Sequence, residues 1–239
     1  MERSRRKRRS AEDIEKTIIE VATRLIREKG FNGLTATGIM QQAAIEPVQF
    51  YRRYTDLNGF IDEYVKRFDY WFSDVIKPYS NTGKDKEQYE QIVNGLLDAL
   101  LENKIMQELL RWEVADCNET SCRTARLREL HTLPLCTRYA EVFKDSDIDI
   151  VAVSAILVGG IYYLILHKEL STFSGIDLNA AADCERIHKA VRNLSELLFT
   201  SLKPSEEAIR IAREMKQDHV PIDKIAKYTK LSEEQIASL

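Results

Sequence analysis

The run Val48-Gln49-Phe50-Tyr51-Arg52-Arg53-Tyr54 follows Pro47 and sets two adjacent guanidinium groups between two phenols, beside a glutamine. Guanidinium and hydroxyl groups donate hydrogen bonds to phosphate oxygens, and a glutamine amide can read adenine with both of its ends. On a short helix, Val48 and Gln49 would meet base edges while Tyr51, Arg52 and Arg53 reach the flanking phosphates, with Thr35, Thr37 and Pro47 completing the binding set. This is binding chemistry, and nothing elsewhere in the chain assembles bond-making chemistry. His131, His167, His188 and His219 lie far apart, and neither His-Glu-x-x-His, Gly-x-Ser-x-Gly nor a glycine-rich phosphate loop occurs. Asp145, Asp147 and Asp149 read as a loop and a helix start rather than an acid–base pair. Cys117 and Cys122 lack the second ligand pair that a zinc site needs, so Cys117, Cys122, Cys136 and Cys184 are expected to be free thiols in a reducing compartment. No catalytic residue, metal or cofactor is expected.

A short helix can present such groups only if others hold it. Ser10 can cap a first helix, with Asp13 three residues on, and Ile14, Ile18, Val21, Ala22 and Leu25 form one apolar stripe along it. Glu28-Lys29-Gly30 ends it. Thr35 or Thr37 can cap a second helix through Ala44, and Pro47 suits the first turn of a third that runs to about Tyr54. Asp56 can cap a fourth, which keeps helical spacing through Phe60, Tyr64, Phe68 and Val75 down to Pro78. The two short helices have the spacing of a helix-turn-helix.

The first helix ending in EKGF, the stretch TATGIMQQAAIEPVQFYRRY and the FY pair followed closely by another aromatic make residues 11 to 65 resemble the DNA-binding domain of the TetR family of bacterial transcriptional regulators. The chain departs from that pattern in having Ala44 where the family usually has glycine, Glu46-Pro47 where serine or threonine commonly caps, and Leu57 or Asn58 where a lysine is common. The resemblance implies an all-α fold: a basic disordered arm (1–10), an N-terminal helix-turn-helix domain (11–56) and a helical effector-binding and dimerisation domain (57–203). It also implies double-stranded DNA as a partner, a homodimer built on the last two long helices, and a small-molecule effector, as in a cytoplasmic repressor. Val158, Gly159, Ile161, Tyr162, Val191, Leu194 and Leu198 are the expected dimer residues. Trp71, Phe72, Trp112, Tyr139, Phe143 and Tyr162 are the aromatic candidates for an effector pocket.

Charge patterning agrees with a phosphate partner. The overall net charge is -3, yet residues 1 to 9 carry an excess of +5, leaving -8 on the remainder. The basic start resembles a signal n-region, but an amphipathic helix follows, so export is not expected. Residues 150 to 166, IVAVSAILVGGIYYLIL, have no charge and approach the length of a membrane span; Ser154 and Gly159-Gly160 favour a buried helix at a subunit interface, without a membrane. Segments 86–111 and 122–144 are expected to be further helices, with Leu96, Leu97, Leu100, Leu101, Leu109, Leu110, Leu130 and Leu133 apolar. Residues 204–239 form a small helical appendage resembling a second helix-turn-helix, its buried positions expected at Ile222, Ile225, Ala226, Leu231 and Ile236. Glu233 and Glu234 would face phosphate there, which favours packing or partner binding over DNA reading. The alternative to a DNA reader is a helical adaptor whose YRRY helix binds protein.

Overall fold

The computed structural model describes residues 9–79, 84–202, 206–229 and 231–239. Most of the basic arm and Pro204 lie outside the described residues. Helices fill the described chain, which contains no strand beyond one bridge between Phe173 and Ile176.

Helix α1 (Ala11–Lys29) starts on a capping box, with Asp13 N donating to Ser10 Oγ at 3.0 Å and Ser10 N to the Asp13 carboxylate at 3.0 Å. It ends at Gly30, whose φ of 70° needs a glycine. Helix α2 (Ala36–Ala43) is capped by Thr35, whose Oγ1 accepts from Gly38 N at 3.0 Å. It stops one residue short of the expected Ala44, which takes a left-handed conformation (φ 50°, ψ 53°). A Cβ in that region costs about 1–2 kcal/mol, partly offset by the lower unfolded-state entropy of alanine. Ala44→Gly should therefore raise stability by about 0.5–1 kcal/mol, read as a higher denaturant midpoint at unchanged slope.

Helix α3 (Pro47–Tyr51) has proline at its first position and ends earlier than expected, at Arg52. Helix α4 (Leu57–Val65) is capped by Asp56, whose Oδ1 accepts from Gly59 N at 2.8 Å. The expected continuous helix to Pro78 is broken. A tight turn at Lys66–Phe68 precedes α5 (Trp71–Ile76), and another at Lys77–Tyr79 follows it. A straight helix would hold Asp62 and Asp69 about 10 Å apart along its axis. In the broken chain both reach the Arg123 guanidinium, at 3.1 and 3.2 Å.

The expected 86–111 helix is likewise two, α6 (Asp85–Glu102) and α7 (Lys104–Ala115). Asn103 ends one and caps the other, its Oδ1 accepting from Met106 N at 3.0 Å. Gln107 Nε2 donates to the carbonyls of Leu100 and Leu101 at 2.8 and 3.1 Å, satisfying groups the broken helix leaves open. Helix α8 (Glu119–Val142) turns Leu130 and Leu133 outward, on a segment that tolerates Pro134 within it.

Helices α9 (Ile150–His167) and α10 (Ala181–Thr200) both pack on α6. One hydrophobic core runs from Ile14 of α1 to Phe199 of α10, joined across the first helices by Phe31 stacked on Trp112 at 5.2 Å. Helices α11 (Glu206–Gln217), α12 (Ile222–Thr229) and α13 (Glu233–Ala237) enclose a separate small core of Ala212, Ile225, Leu231 and Ile236. Ala226 packs against it, whereas Ile222, expected among the buried positions, is exposed.

Within the protomer, helix α9 is covered on one side only. By length and composition it could cross a membrane, but only Ile150, Ile161 and Ile165 of it are buried. Ile156 is 77% exposed, and Ala152, Ala155, Gly159, Gly160 and Tyr163 continue an outward stripe. On α10, Leu194 and Leu197 are exposed, Leu197 by 68%. Two expected interface residues are thus corrected: Ile161 and Val191 lie inside the protomer core and are unavailable to a partner. Of the other expected interface residues, Gly159 and Leu194 face out and Val158, Tyr162 and Leu198 are half-buried.

Candidate nucleic-acid interface

Phe50 anchors α3. It is fully buried and touches Tyr51, Tyr54 and Phe60 with ring centroids 5.4, 5.2 and 5.8 Å away, and the contacts continue from Phe60 to Tyr64. With Phe50 pointing inward, helical spacing turns Val48, Tyr51 and Arg52 outward together. Val48 is 71% exposed and Tyr51 50%, and Arg52 is exposed. These three form the free face of the helix.

Gln49 and Arg53 are placed differently from the sequence expectation. Gln49 Oε1 accepts from Glu46 N at 2.8 Å, closing the helix start that Glu46-Pro47 would otherwise leave open. One carbonyl lone pair and the amide N–H groups remain for a base. Arg53 Nη1 donates to Gln49 O at 2.9 Å and Nη2 to Ala11 O at 2.7 Å, strapping the end of α3 to the first turn of α1. Thr35 spends its oxygen on the α2 cap but keeps its hydroxyl proton, and Thr37 is exposed two residues along. Sequence spacing gave no sign of two further contacts that set these helices: Arg9 Nη1 donates to Ala43 O at 3.0 Å, and Arg24 Nη2 to Gln42 Oε1 at 2.7 Å.

Helix α4 links this unit to the rest. Burial pushes the Asp62 carboxyl up, but Lys66 and Arg123 outweigh it and hold it below the usual carboxylate range. Thr120 Oγ1 also donates to Asp62 Oδ1 at 3.2 Å, so the first turn of α8 grips α4 at two points.

A cavity of about 250 Å³ lies between α5, α6, α8 and α9. Its walls are apolar, with Phe72 and Tyr139 from the expected aromatic set and Tyr89, Ile92 and Leu96 beside them. Tyr89 OH and Ser154 Oγ hydrogen-bond at 2.9 Å, and Glu129 and Thr132 of α8 add polar lining. Burial pushes the Tyr139 phenol well up, so it is a neutral donor. The other aromatic candidates are core. Trp112 stacks on Phe31 and donates to Asp116 at 3.0 Å, and Phe143 packs on Phe199 at 5.1 Å. Trp71 borders a void of only about 10 Å³, and burial raises the phenol of Tyr162 beside Arg128 and Glu113. Ser154, the one serine in an apolar run, is a signal that could have pointed to this cavity; nothing marked Tyr89.

No family model and no curated protein sequence matches the chain. Solved structures do. A TetR-family transcriptional regulator from Streptomyces coelicolor A3 superposes with a TM-score of 0.54 at 19% identity, over 74% of this chain and 88% of that one. A TetR-family transcriptional regulator structure from Mesorhizobium loti MAFF303099 gives 0.55 at 15% identity, over 80% and 98%. One from Vibrio parahaemolyticus gives 0.52 at 17% identity, over 76% and 97%. The fold is that of this family.

Proposed function

We propose that this chain, with its TetR-regulator fold, is a sequence-specific DNA-binding transcriptional regulator: a cytoplasmic, non-catalytic homodimer that represses and is released from its operator by a small molecule. The observation that carries the reading is the free face of α3. Val48, Tyr51 and Arg52 stand outward together on a helix whose only inward side chain, Phe50, is fully buried. A five-residue helix reads few base pairs, so paired half-sites across a two-fold axis are needed for specificity.

The pairing surface is the outward apolar stripe of α9 with Leu194 and Leu197 of α10. The glycines of α9 support this. A Cβ built at Gly159 or Gly160 meets nothing within 4 Å, so the protomer itself has no use for glycine there, at a helix cost of about 1 kcal/mol each. Close approach of a second backbone accounts for both, and the partner protomer rather than a lipid bilayer covers the face. The effector would occupy the cavity between α5, α6, α8 and α9. Because α8 also grips α4 through Thr120 and Arg123, a ligand that favours one placement of α8 would bias the placement of the reading helices.

The test is duplex selection from a random pool, followed by fluorescence anisotropy with excess nonspecific competitor across a salt series. Arg52→Ala should weaken binding without altering stability, and flatten the salt dependence by roughly 2 slope units, one phosphate contact per protomer. Arg53→Ala should weaken binding too, but also lower stability by about 1–3 kcal/mol as its two backbone acceptors are released. Competitor-sensitive binding with no enriched sequence would refute the proposal.

A further inference from the structure

We propose that Cys117 and Cys122 form an oxidisable dithiol, a modification site that closes to an intrachain disulfide in the presence of a hydroperoxide. Their sulfurs stand 3.6 Å apart in the turn between α7 and α8. The turn is fixed by its own hydrogen bonds. Ser121 N donates to Asn118 Oδ1 at 2.9 Å, Asn118 N to Ser121 Oγ at 2.9 Å, and Ser121 Oγ to Asp116 O at 2.7 Å. These bonds hold Cys117, before the cap, against Cys122 in the first turn of α8. Reaching the bonded separation of about 2.05 Å takes about 1.5 Å of sulfur movement, within the reach of side-chain rotation. Cys117 is exposed, so a small oxidant can reach the pair. The other thiols are placed differently: Cys184 donates to Leu178 O at 3.3 Å, and Cys136 lines the cavity.

In the reaction one thiolate attacks the O–O bond of the peroxide, giving a sulfenic acid and a first water. The neighbouring thiol then displaces the hydroxyl from that sulfur as a second water. Two thiols and one hydrogen peroxide become one disulfide and two waters, with peroxide reduced and sulfur oxidised. The same turn carries Thr120 and Arg123, the residues that hold Asp62 of α4, so the new bond would stiffen the junction between α8 and the helices ahead of it.

The experiment exposes the full-length folded protein to graded hydrogen peroxide, blocks remaining thiols with an alkylating agent and digests with trypsin. Both cysteines fall in one tryptic peptide, Trp112 to Arg123, which has no internal lysine or arginine. The expected result is loss of the mass of two hydrogen atoms from that peptide, resistance to alkylation, and reversal by a dithiol reductant. Cys136→Ser/Cys184→Ser should keep the signature and Cys122→Ser should lose it. Oxidation that leaves this peptide fully alkylatable, stops at sulfinic acid on either cysteine, or links two chains through Cys117 would overturn the proposal.

Discussion

Leu197→Asp is expected to convert the proposed dimer to monomers at micromolar concentration and to abolish the proposed operator binding, while leaving the helical content intact. Leu197 is 68% exposed in the protomer, so aspartate there meets water and the fold does not suffer. In a two-fold interface the same substitution occurs twice. Losing the burial of the exposed part of two leucine side chains costs about 2–4 kcal/mol, or about one and a half to three orders of magnitude in dissociation constant, before the cost of burying two carboxylates is added. Ile156→Asp on α9, 77% exposed, should act in the same way. Sedimentation velocity across a concentration series measures the effect, and anisotropy on the selected duplex measures its consequence. An unchanged dimer in both variants would remove α9 and α10 from the interface.

Arg128→Met is expected to destabilise the protein by about 3–5 kcal/mol, a fall in melting temperature on the order of 10 °C. Glu113 of α7 and Arg128 of α8 pair deep in the protomer, their side chains only 7% and 14% exposed, and Thr124 Oγ1 donates to the same carboxylate at 2.6 Å. Burial pushes the Glu113 carboxyl up, opposed by Arg128 and Thr124. Removing Arg128 strands a buried anion and leaves the upward push largely unopposed. A carboxyl whose folded pKa lies above its unfolded value binds its proton more tightly in the folded state, so its charged form weakens folding. The Arg128→Met loss should accordingly be smallest in acid and grow as pH rises through the raised Glu113 value. Adding Glu113→Gln should recover most of it. A single variant within about 1 kcal/mol of the parent, or a double variant no better than the single, would show that the pair does not hold α7 to α8 as argued.

The helix starts were legible in the sequence because their causes are local. Ser10 with Asp13, Thr35, Pro47 and Asp56 each act through a hydrogen bond or a missing N–H within four residues, and the structure uses every one of them. The α3 face was legible in part. Spacing set Phe50 against Val48, Tyr51 and Arg52, but the acceptors of Arg53 include Ala11 O, forty-two residues away, and no local pattern points there. The breaks at Lys66 and Asn103 were hidden for a similar reason. The apolar spacing runs through both, and the groups served by the break after α4 include Arg123, far along the chain.

The sequence by itself determined that the chain is helical, where most helices begin, and that a basic, aromatic helix follows Pro47. Tertiary structure alone decided which side of α9 faces out. That helix is apolar on every side, so no polar stripe marks the solvent face, and Ile156 and Ile161 are equivalent by composition. Packing on α6, α7 and α8 buries Ile161 and Ile165 and leaves Ile156, Gly159 and Gly160 outward. The cavity and the Cys117–Cys122 contact were settled in the same way, by where separate helices and one capped turn bring side chains that the sequence holds apart. The capping hydrogen bonds of the helix starts are written locally, whereas the direction of an apolar surface depends on what else is present to cover it.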